Sequence, residues 1–485
     1  MGNEKDIQPV PTHDSVQAGE TEDAVYDPKS SDDNFEIFKK TTDGVQFRLV
    51  GWPQATMIFL KTLFATGVLS IPTAMYGLGA VGGALSVVGW GFLNTCKRLC
   101  TLRFLRLTFI DFAIVQGDFR NRHAHCHSIA DMAHVVGGPV LKEICGLLFI
   151  VAYVLCAGSG IIGLSAGLNA LSDHAACTVW WAFLSAAVII ACASVRKFQN
   201  IGWLSWAGFV SVYVAVFIVV VGVTTTDRPA AAPQEGPYDL GYNVIAYPTF
   251  VVGMTATCTI FISSAGTSAF LPVIAEMRNP KDYNKAVYVS MAIVQASYLT
   301  FSLVVYKWCG KWVTNPSLGS AGDTLKKAAY GVGLIGLAVS GCLYLHVAAK
   351  YVFVRILRNS EHLQKNSLVH WGTWFSCTIG LGAIAFILAE AIPIFSFLIA
   401  LTGSVCFAPI AIALPAYLWL YDHWEYRRGS IVKQAVWYTH WLLLAIGVFI
   451  CVGGTYGVAD QIKQAYDSGL IGGAFSCADN SNTHS

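Results

Sequence analysis

Eleven stretches of about 20 mostly apolar residues divide this chain, and each is long enough to cross a bilayer as a helix. Their soft bounds are 53–76, 77–96, 141–169, 178–194, 201–224, 246–275, 286–307, 328–354, 371–390, 394–420 and 434–455. Of the 485 residues 55% are hydrophobic and 12% charged, about half the charge of a soluble domain. That leaves too little polar surface for a soluble enzyme, a nucleic-acid binder or a disordered regulator. The 45 glycines and 14 tryptophans suit helices packed in lipid behind aromatic belts. The fold class expected is an all-α polytopic membrane protein.

Eleven spans put the termini on opposite sides, and the distribution of basic residues selects the orientation. With the N-terminus inside, the inner tail and loops carry 22 of the 31 Lys and Arg, the outer segments 6, and Lys61, Lys142 and Lys350 lie within spans. The short loops at 195–200, 277–285 and 421–433 drive the asymmetry. Residues 1–50 hold 11 acidic and 5 basic residues, with no apolar run and no signal-peptide pattern. They are expected to be a disordered cytoplasmic tail, ahead of a transporter domain at 51–456 and an extracytoplasmic tail at 457–485. Most of the 14 cysteines fall in apolar runs, where a thiol is a small hydrophobe. Cys177, Cys309 and Cys477 fall in outer loops, and Cys177–Cys309 is the bridge considered. The mixed basic and apolar stretch 96–107 is placed on the inner leaflet, because burying its four cations would cost about 2.5–3.5 kcal/mol each.

Two spans carry their own interruption. Phe64-Ala65-Thr66-Gly67-Val68-Leu69-Ser70-Ile71-Pro72 lies in the first, and Phe261-Ile262-Ser263-Ser264-Ala265-Gly266-Thr267-Ser268-Ala269-Phe270-Leu271-Pro272 in the sixth. Each has a small, hydroxyl-rich stretch around a glycine and a proline five or six residues on. One opens a run of five spans and the other opens the next five, entering from the opposite side. Paired interruptions of this kind are the sequence pointer to a transporter site. Unwinding at Thr66 and Gly67 predicts orphan N–H groups on Gly67, Val68 and Leu69, which attract an anion. Free carbonyls at 63–65 and 261–263 predict attraction for a cation. Both poles at mid-membrane suit a zwitterion, and the obvious one is an α-amino acid. Tyr153 and Ser340 are counted to the same depth at about 1.5 Å per residue.

Ionisable residues within spans are functional hypotheses by default. Lys350, Glu390, His346 and His440 are expected to be structural or interfacial, with Lys350 snorkelling. Lys61, about 12 Å into its span, is either a snorkelling anchor or a group that pairs with free carbonyls and gates the path. His123-Ala124-His125-Cys126-His127 with Asp131 has metal-ligand residue types, but the ligands are crowded in one loop, and no metal is expected.

The chain also resembles a known family. Gly67-Val68-Leu69-Ser70-Ile71-Pro72, Gln116-Gly117-Asp118-Phe119-Arg120, His127-Ser128-Ile129-Ala130-Asp131-Met132 and Ala275-Glu276-Met277-Arg278-Asn279-Pro280 are similar to motifs of the amino acid/auxin permease family. Met57-Ile58-Phe59-Leu60-Lys61-Thr62 narrows the resemblance to its fungal neutral amino acid permease branch. The likeness covers roughly 45–455. It implies a LeuT-like fold of eleven transmembrane helices in five-plus-five inverted repeats, about 53–224 and 246–420, with helix 11 at 434–455. It also implies ion-coupled amino acid uptake, the ion in the fungal branch usually being a proton. By position, the substrate main chain would fall on Phe64, Ala65, Thr66, Gly67, Val68 and Leu69 and on Phe261, Ile262, Ser263, Ser264 and Gly266. Phe64, Tyr153 and Phe261 are the expected walls or gates, helices 3, 8 and 10 the side-chain pocket, and Lys61 and Ser340 the ion-coupling candidates. Some 16–18 residues around 96–112 interrupt the usual run into the Gln116 motif, as a genuine insertion or a translated intron.

The function expected is therefore a secondary active symporter, importing neutral amino acids with H+, or Na+, by alternating access at the plasma membrane. Its partners would be the amino acid and the bilayer, with no nucleic acid. The alternatives are an amino-acid-sensing receptor with little transport, a vacuolar exporter of the same family, and a membrane enzyme using the histidine loop. No paired carboxylates, nucleophile elbow or HExxH pattern supports the last.

Overall fold

The computed structural model describes residues 49–95, 112–123, 125–195, 198–358, 360–363, 365–392, 394–469 and 473–481, without the side chains of 198–201. The expectations for the acidic tail and for the basic stretch at 96–107 lie outside the described residues. In chain order the helices are α1 (Trp52–Leu63), α2 (Ile71–Thr95), α3 (Phe112–Arg122), α4 (Ile129–Ser172), α5 (Thr178–Ala193), α6 (Phe198–Thr225), α7 (Phe250–Ala265) and α8 (Phe270–Glu276). They continue as α9 (Tyr283–Cys309), α10 (Asp323–Leu357), α11 (Leu368–Ala391), α12 (Phe395–Leu401), α13 (Leu414–Asp422), α14 (Ile431–Phe449) and α15 (Thr455–Asp467). Thr402–Ala413, around Pro409, is π-helical and joins α12 to α13.

Among the described residues nine helices are long and apolar enough to cross a membrane. The sequence expectation of eleven differs in two places. Thr178–Ala193 is apolar but has only 16 residues. The first two spans are divided differently: α1 stops after 12 residues, and Ile71–Thr95 continues it and then turns at Gly79 (φ 76°). Only glycine suits that backbone, and a Cβ there would come within 2.6 Å of the Ala246 nitrogen. Ala80 and Val81 donate instead to the carbonyls of Asn243 and Val244, at 3.0 and 2.9 Å. A second turn, at Gly138 (φ 71°) before Pro139, separates a short, largely buried opening from the long rod of α4.

α10 packs most extensively on α4 and α6, and glycine permits the approach. A Cβ on Gly160 of α4 would lie 2.8 Å from the Gly341 Cα of α10, and one on Gly336 would lie 2.7 Å from the Gly208 carbonyl of α6. Small residues at such crossings let backbones meet where lipid supplies no hydrophobic drive. Leu85, Trp180, Trp203 and Phe217 point outward.

The bridge considered between Cys177 and Cys309 is not formed. Cys177 is disulfide-bonded to Cys477, 300 residues on. Cys309 closes α9 with its thiol turned into the core. The bridged tail is seated on α4: Asn169 donates to Asn480 Oδ1 at 2.8 Å, and Asn480 donates to Ser165 Oγ at 3.1 Å.

Candidate functional site

A proline cannot sit inside an unbroken helix, because it lacks the N–H and its ring meets the carbonyl four residues back. Pro72 and Pro272 place that conflict at Val68 and Ser268. At both places the helix tightens to a 3₁₀ turn, Gly67–Leu69 in one rod and Gly266–Ala269 in the other. α1 ends with Phe64 at φ −79°, ψ 71°. The amide of Ala65 donates to Leu63 O at 2.9 Å and that of Leu69 to Thr66 O at 3.2 Å. The amides of Thr66, Gly67 and Val68 take no acceptor among the described residues. The expected triad of free donors is thus shifted by one residue, since the 3₁₀ bond uses Leu69.

The two breaks meet. A Cβ on Gly67 would lie 2.6 Å from Ser263 Oγ and 2.9 Å from Ser263 Cβ, and one on Gly266 would lie 3.4 Å from Leu63 Cδ2. At one end of the bundle Val50 and Met277 form a parallel bridge, so the start of α1 lies beside the end of α8. The two rods therefore run in opposite senses and cross where each is interrupted.

Between them lies a small cavity of about 20 Å³, room for a single water. Thr66, Gly67, Ile262, Ser263 and Gly266 line it from the breaks, with Tyr153 of α4. The wall also takes in Thr62 and Leu63 of α1, Cys156 and Ser159 of α4, Tyr344 of α10, Ile399 of α12, and Thr402 and Phe407 of the π-helical stretch. Among the described residues no charged side chain lines it. Tyr153 Oη contacts Ser268 Oγ at 2.9 Å and donates to Gly266 O at 3.3 Å. Tyr344 donates to Thr62 O at 3.0 Å. The Tyr298 hydroxyl lies against the carbonyls of Leu63 and Ser263, 3.1 Å from the latter, and can donate to one at a time. Of the carbonyls expected to be free, those of Leu63 and Ser263 share the Tyr298 hydroxyl and that of Phe64 meets Lys61, although each keeps a second lone pair.

Several expected residues lie elsewhere. Phe64 is buried among Tyr298, Phe209, Tyr213 and Phe301, with centroids 5.6–6.2 Å away, and faces α6 and α9. Phe261 packs against Trp90, with ring centroids 4.8 Å apart and planes tilted by 57°. Ser264 accepts from Gln295 at 2.9 Å. Ala65, Val68 and Leu69 are buried without lining the cavity. Tyr298, Tyr344, Thr402 and Phe407 were not anticipated, although Thr402-Gly403-Ser404 with Pro409 repeats the hydroxyl, glycine and proline pattern of the two breaks.

Among the ionisable groups, neither Lys61 nor Lys350 snorkels. Lys61 is fully buried, and its Nζ donates to Ser340 Oγ at 2.7 Å and to Phe64 O at 3.5 Å. The Ser340 hydroxyl in turn donates to Gly336 O at 2.8 Å. Lys350 is buried in an ion pair with Glu276. His346 and His440 are buried rather than interfacial, each with Nδ1 at a backbone carbonyl. Glu390 is also buried. The histidine loop joins helix ends: His123 and Arg122 both reach Asp422, at 3.0 and 2.7 Å, and Arg358 reaches Asp131 at 2.7 Å. Among the described residues no three His, Cys, Asp or Glu side chains converge as metal ligands.

Two oppositely directed, interrupted helices around an uncharged cavity, inside an apolar bundle, define a membrane transporter of the broken-helix class. The chain belongs to the transmembrane amino acid transporter protein family, which it matches over residues 49–459. It is 47% identical over 477 residues to a transmembrane transporter of Gibberella moniliformis, covering 98% of this chain and 96% of the relative. It is 26% identical over 446 residues to the N amino acid transport system protein of Neurospora crassa, covering 89% of each. The fold is shared with MhsT, solved with L-phenylalanine (TM-score 0.53, 12% identity), over 87% of this chain and all of that one. It is shared too with the nucleobase-cation symporter Mhp1 (TM-score 0.51, 12% identity), over 92% of this chain and all of that one.

Proposed function

We propose that the protein is a secondary active symporter that carries neutral amino acids together with protons by alternating access. The observation that carries this reading is the crossing of the two breaks. The amides of Thr66, Gly67 and Val68 head the second half of one helix and suit a carboxylate. The carbonyls of Leu63, Ser263 and Gly266 lie across the crossing and suit an ammonium group. Neutral substrates are supported by the rest of the wall, since Cys156, Ile399, Thr402 and Phe407 offer no charge to pair with a charged side chain. The Neurospora relative is named an amino acid transport system protein, which supports an amino acid as the substrate. The 20 Å³ cavity must expand to take a substrate, as alternating access requires.

Proton coupling is supported by Lys61. Its ammonium already occupies the oxygens of Ser340 and Phe64, where a sodium ion would need ligands, and an amine can carry a proton in and release it. The disulfide at Cys177 supports an oxidising compartment at that face, and hence an exoplasmic C-terminus. The test is uptake of labelled neutral amino acids into proteoliposomes under an imposed pH gradient, with choline replacing sodium. Accumulation that follows the gradient and ignores sodium is expected. Accumulation only with sodium would overturn the coupling, and none under either gradient would overturn the transport reading.

A further inference from the structure

Glu276 ends α8, and Lys350 lies on α10 less than two turns beyond Tyr344. Their side chains are ion-paired and buried. A buried pair adds little net stability, yet losing one partner is costly because the other charge stays buried. Such a pair acts as a fastening between the elements that carry it.

Three elements meet at this one. The Glu276 carbonyl accepts from the Val50 amide at 3.0 Å, and the Arg278 amide donates to Val50 O at 2.8 Å, which straps the entry of α1 to the exit of α8. Lys350 belongs to the α4–α10 centre of the bundle. The pair thus fastens the two half-helices on one side of the breaks to that centre.

It also stands at a partition. A second cavity, about 240 Å³, is lined by Lys350 together with Asp131, Lys142, Glu143, Arg355 and Arg358. Between it and the central cavity lies a layer of rings. Phe149 sits 4.7 Å from Tyr153 and 5.1 Å from Tyr351, and Tyr153 sits 6.3 Å from Tyr344. Tyr153 and Tyr344 face the central cavity, and Tyr351 faces the charged one.

We propose that the Glu276–Lys350 pair is the latch that keeps the central cavity closed to this charged vestibule. While it holds, α1 and α8 rest on α10 and the ring layer is shut. When it parts, the half-helices swing away, the central cavity joins the vestibule, and water there hydrates both groups. Glu276 and Lys350 are positioning residues, since neither lines the central cavity. The role of the latch in transport rests on the reading of that cavity as the substrate site.

Cys156 on the central cavity is a native reporter of opening. Its alkylation by a small maleimide is measured in the full-length protein, without substrate, by peptide mass spectrometry. Glu276→Gln and Lys350→Met are each expected to speed labelling by about tenfold or more, and the reversed pair E276K/K350E to return it to the wild-type rate. Folded single variants that label like wild type, or a reversal that labels as fast as the singles, would overturn the latch. If the singles do not fold, the uncharged double E276Q/K350M decides: fast labelling supports the latch and wild-type labelling overturns it. Because no substrate is needed, a failure to bind amino acids would sink the proposed function without altering this result.

Discussion

Lys61 Nζ donates to Ser340 Oγ at 2.7 Å, joining the first rod to α10 across 279 positions of sequence. The same ammonium reaches the carbonyl of Phe64, where α1 stops. A cation belonging to the chain therefore ties the interrupted helix to the centre of the bundle, and coupling is expected to act through it. In Lys61→Met, net uptake driven by a pH gradient is lost while exchange of labelled for unlabelled substrate persists. Lys61→Arg does not restore it, because a guanidinium is broader and does not give up its proton. Paired uptake and counterflow assays check this.

Ser340→Ala removes a hydrogen bond to a charged donor, worth about 1.5–3 kcal/mol. Proton-driven uptake is expected to fall roughly tenfold or more, with surface expression retained. Uptake by Ser340→Ala cells at matched expression is the measurement.

Gly67→Ala is expected to weaken substrate binding by about 10- to 100-fold, since overpacking of 1–3 kcal/mol follows when a Cβ meets Ser263. The double variant G67A/S263G removes the atoms that collide and recovers most of the affinity. Equilibrium binding to purified protein tests both.

Phe407 and Thr402 bound the far wall of the cavity. Phe407→Ala is expected to admit bulkier neutral side chains, moving the preference between a small and a large amino acid by about 10- to 200-fold, the range of one methylene or more in an apolar pocket. Competition uptake with a series of neutral amino acids measures it.

The Cys177–Cys477 bond ties the tail to α5 and, through Asn480, to α4. On intact cells an impermeant maleimide is expected to label Cys477 in Cys177→Ala without prior reduction, and wild type only after reduction. Loss of the bond is expected to cost about 2–4 kcal/mol, seen as a lower unfolding temperature.

What the sequence made legible follows from how locally each feature is determined. The two breaks were readable because Gly67 with Pro72 and Gly266 with Pro272 disturb the helix that carries them. Which face of each rod turns to the cavity just ahead of its break was not, because that depends on which distant helix packs there; hence Phe64 faces α6 and α9, and Phe261 meets Trp90 of α2, instead of the cavity. Tyr298 and Tyr344 reach the breaks from other rods, and nothing near Leu63 or Thr62 in sequence signals them. Lys350 was read as snorkelling because its partner Glu276 is 74 positions away. With three loop cysteines, spacing could not choose the partner of Cys177.

The central claim is that the bare backbone of two crossed breaks holds both ends of an α-amino acid. Equilibrium binding to the purified protein should compare one neutral amino acid with its amide, which lacks the carboxylate, and its deaminated acid, which lacks the ammonium group. Both analogues are expected to bind at least about 100-fold more weakly, because each leaves buried polar groups unpaired. Equal affinity for either analogue would contradict the account.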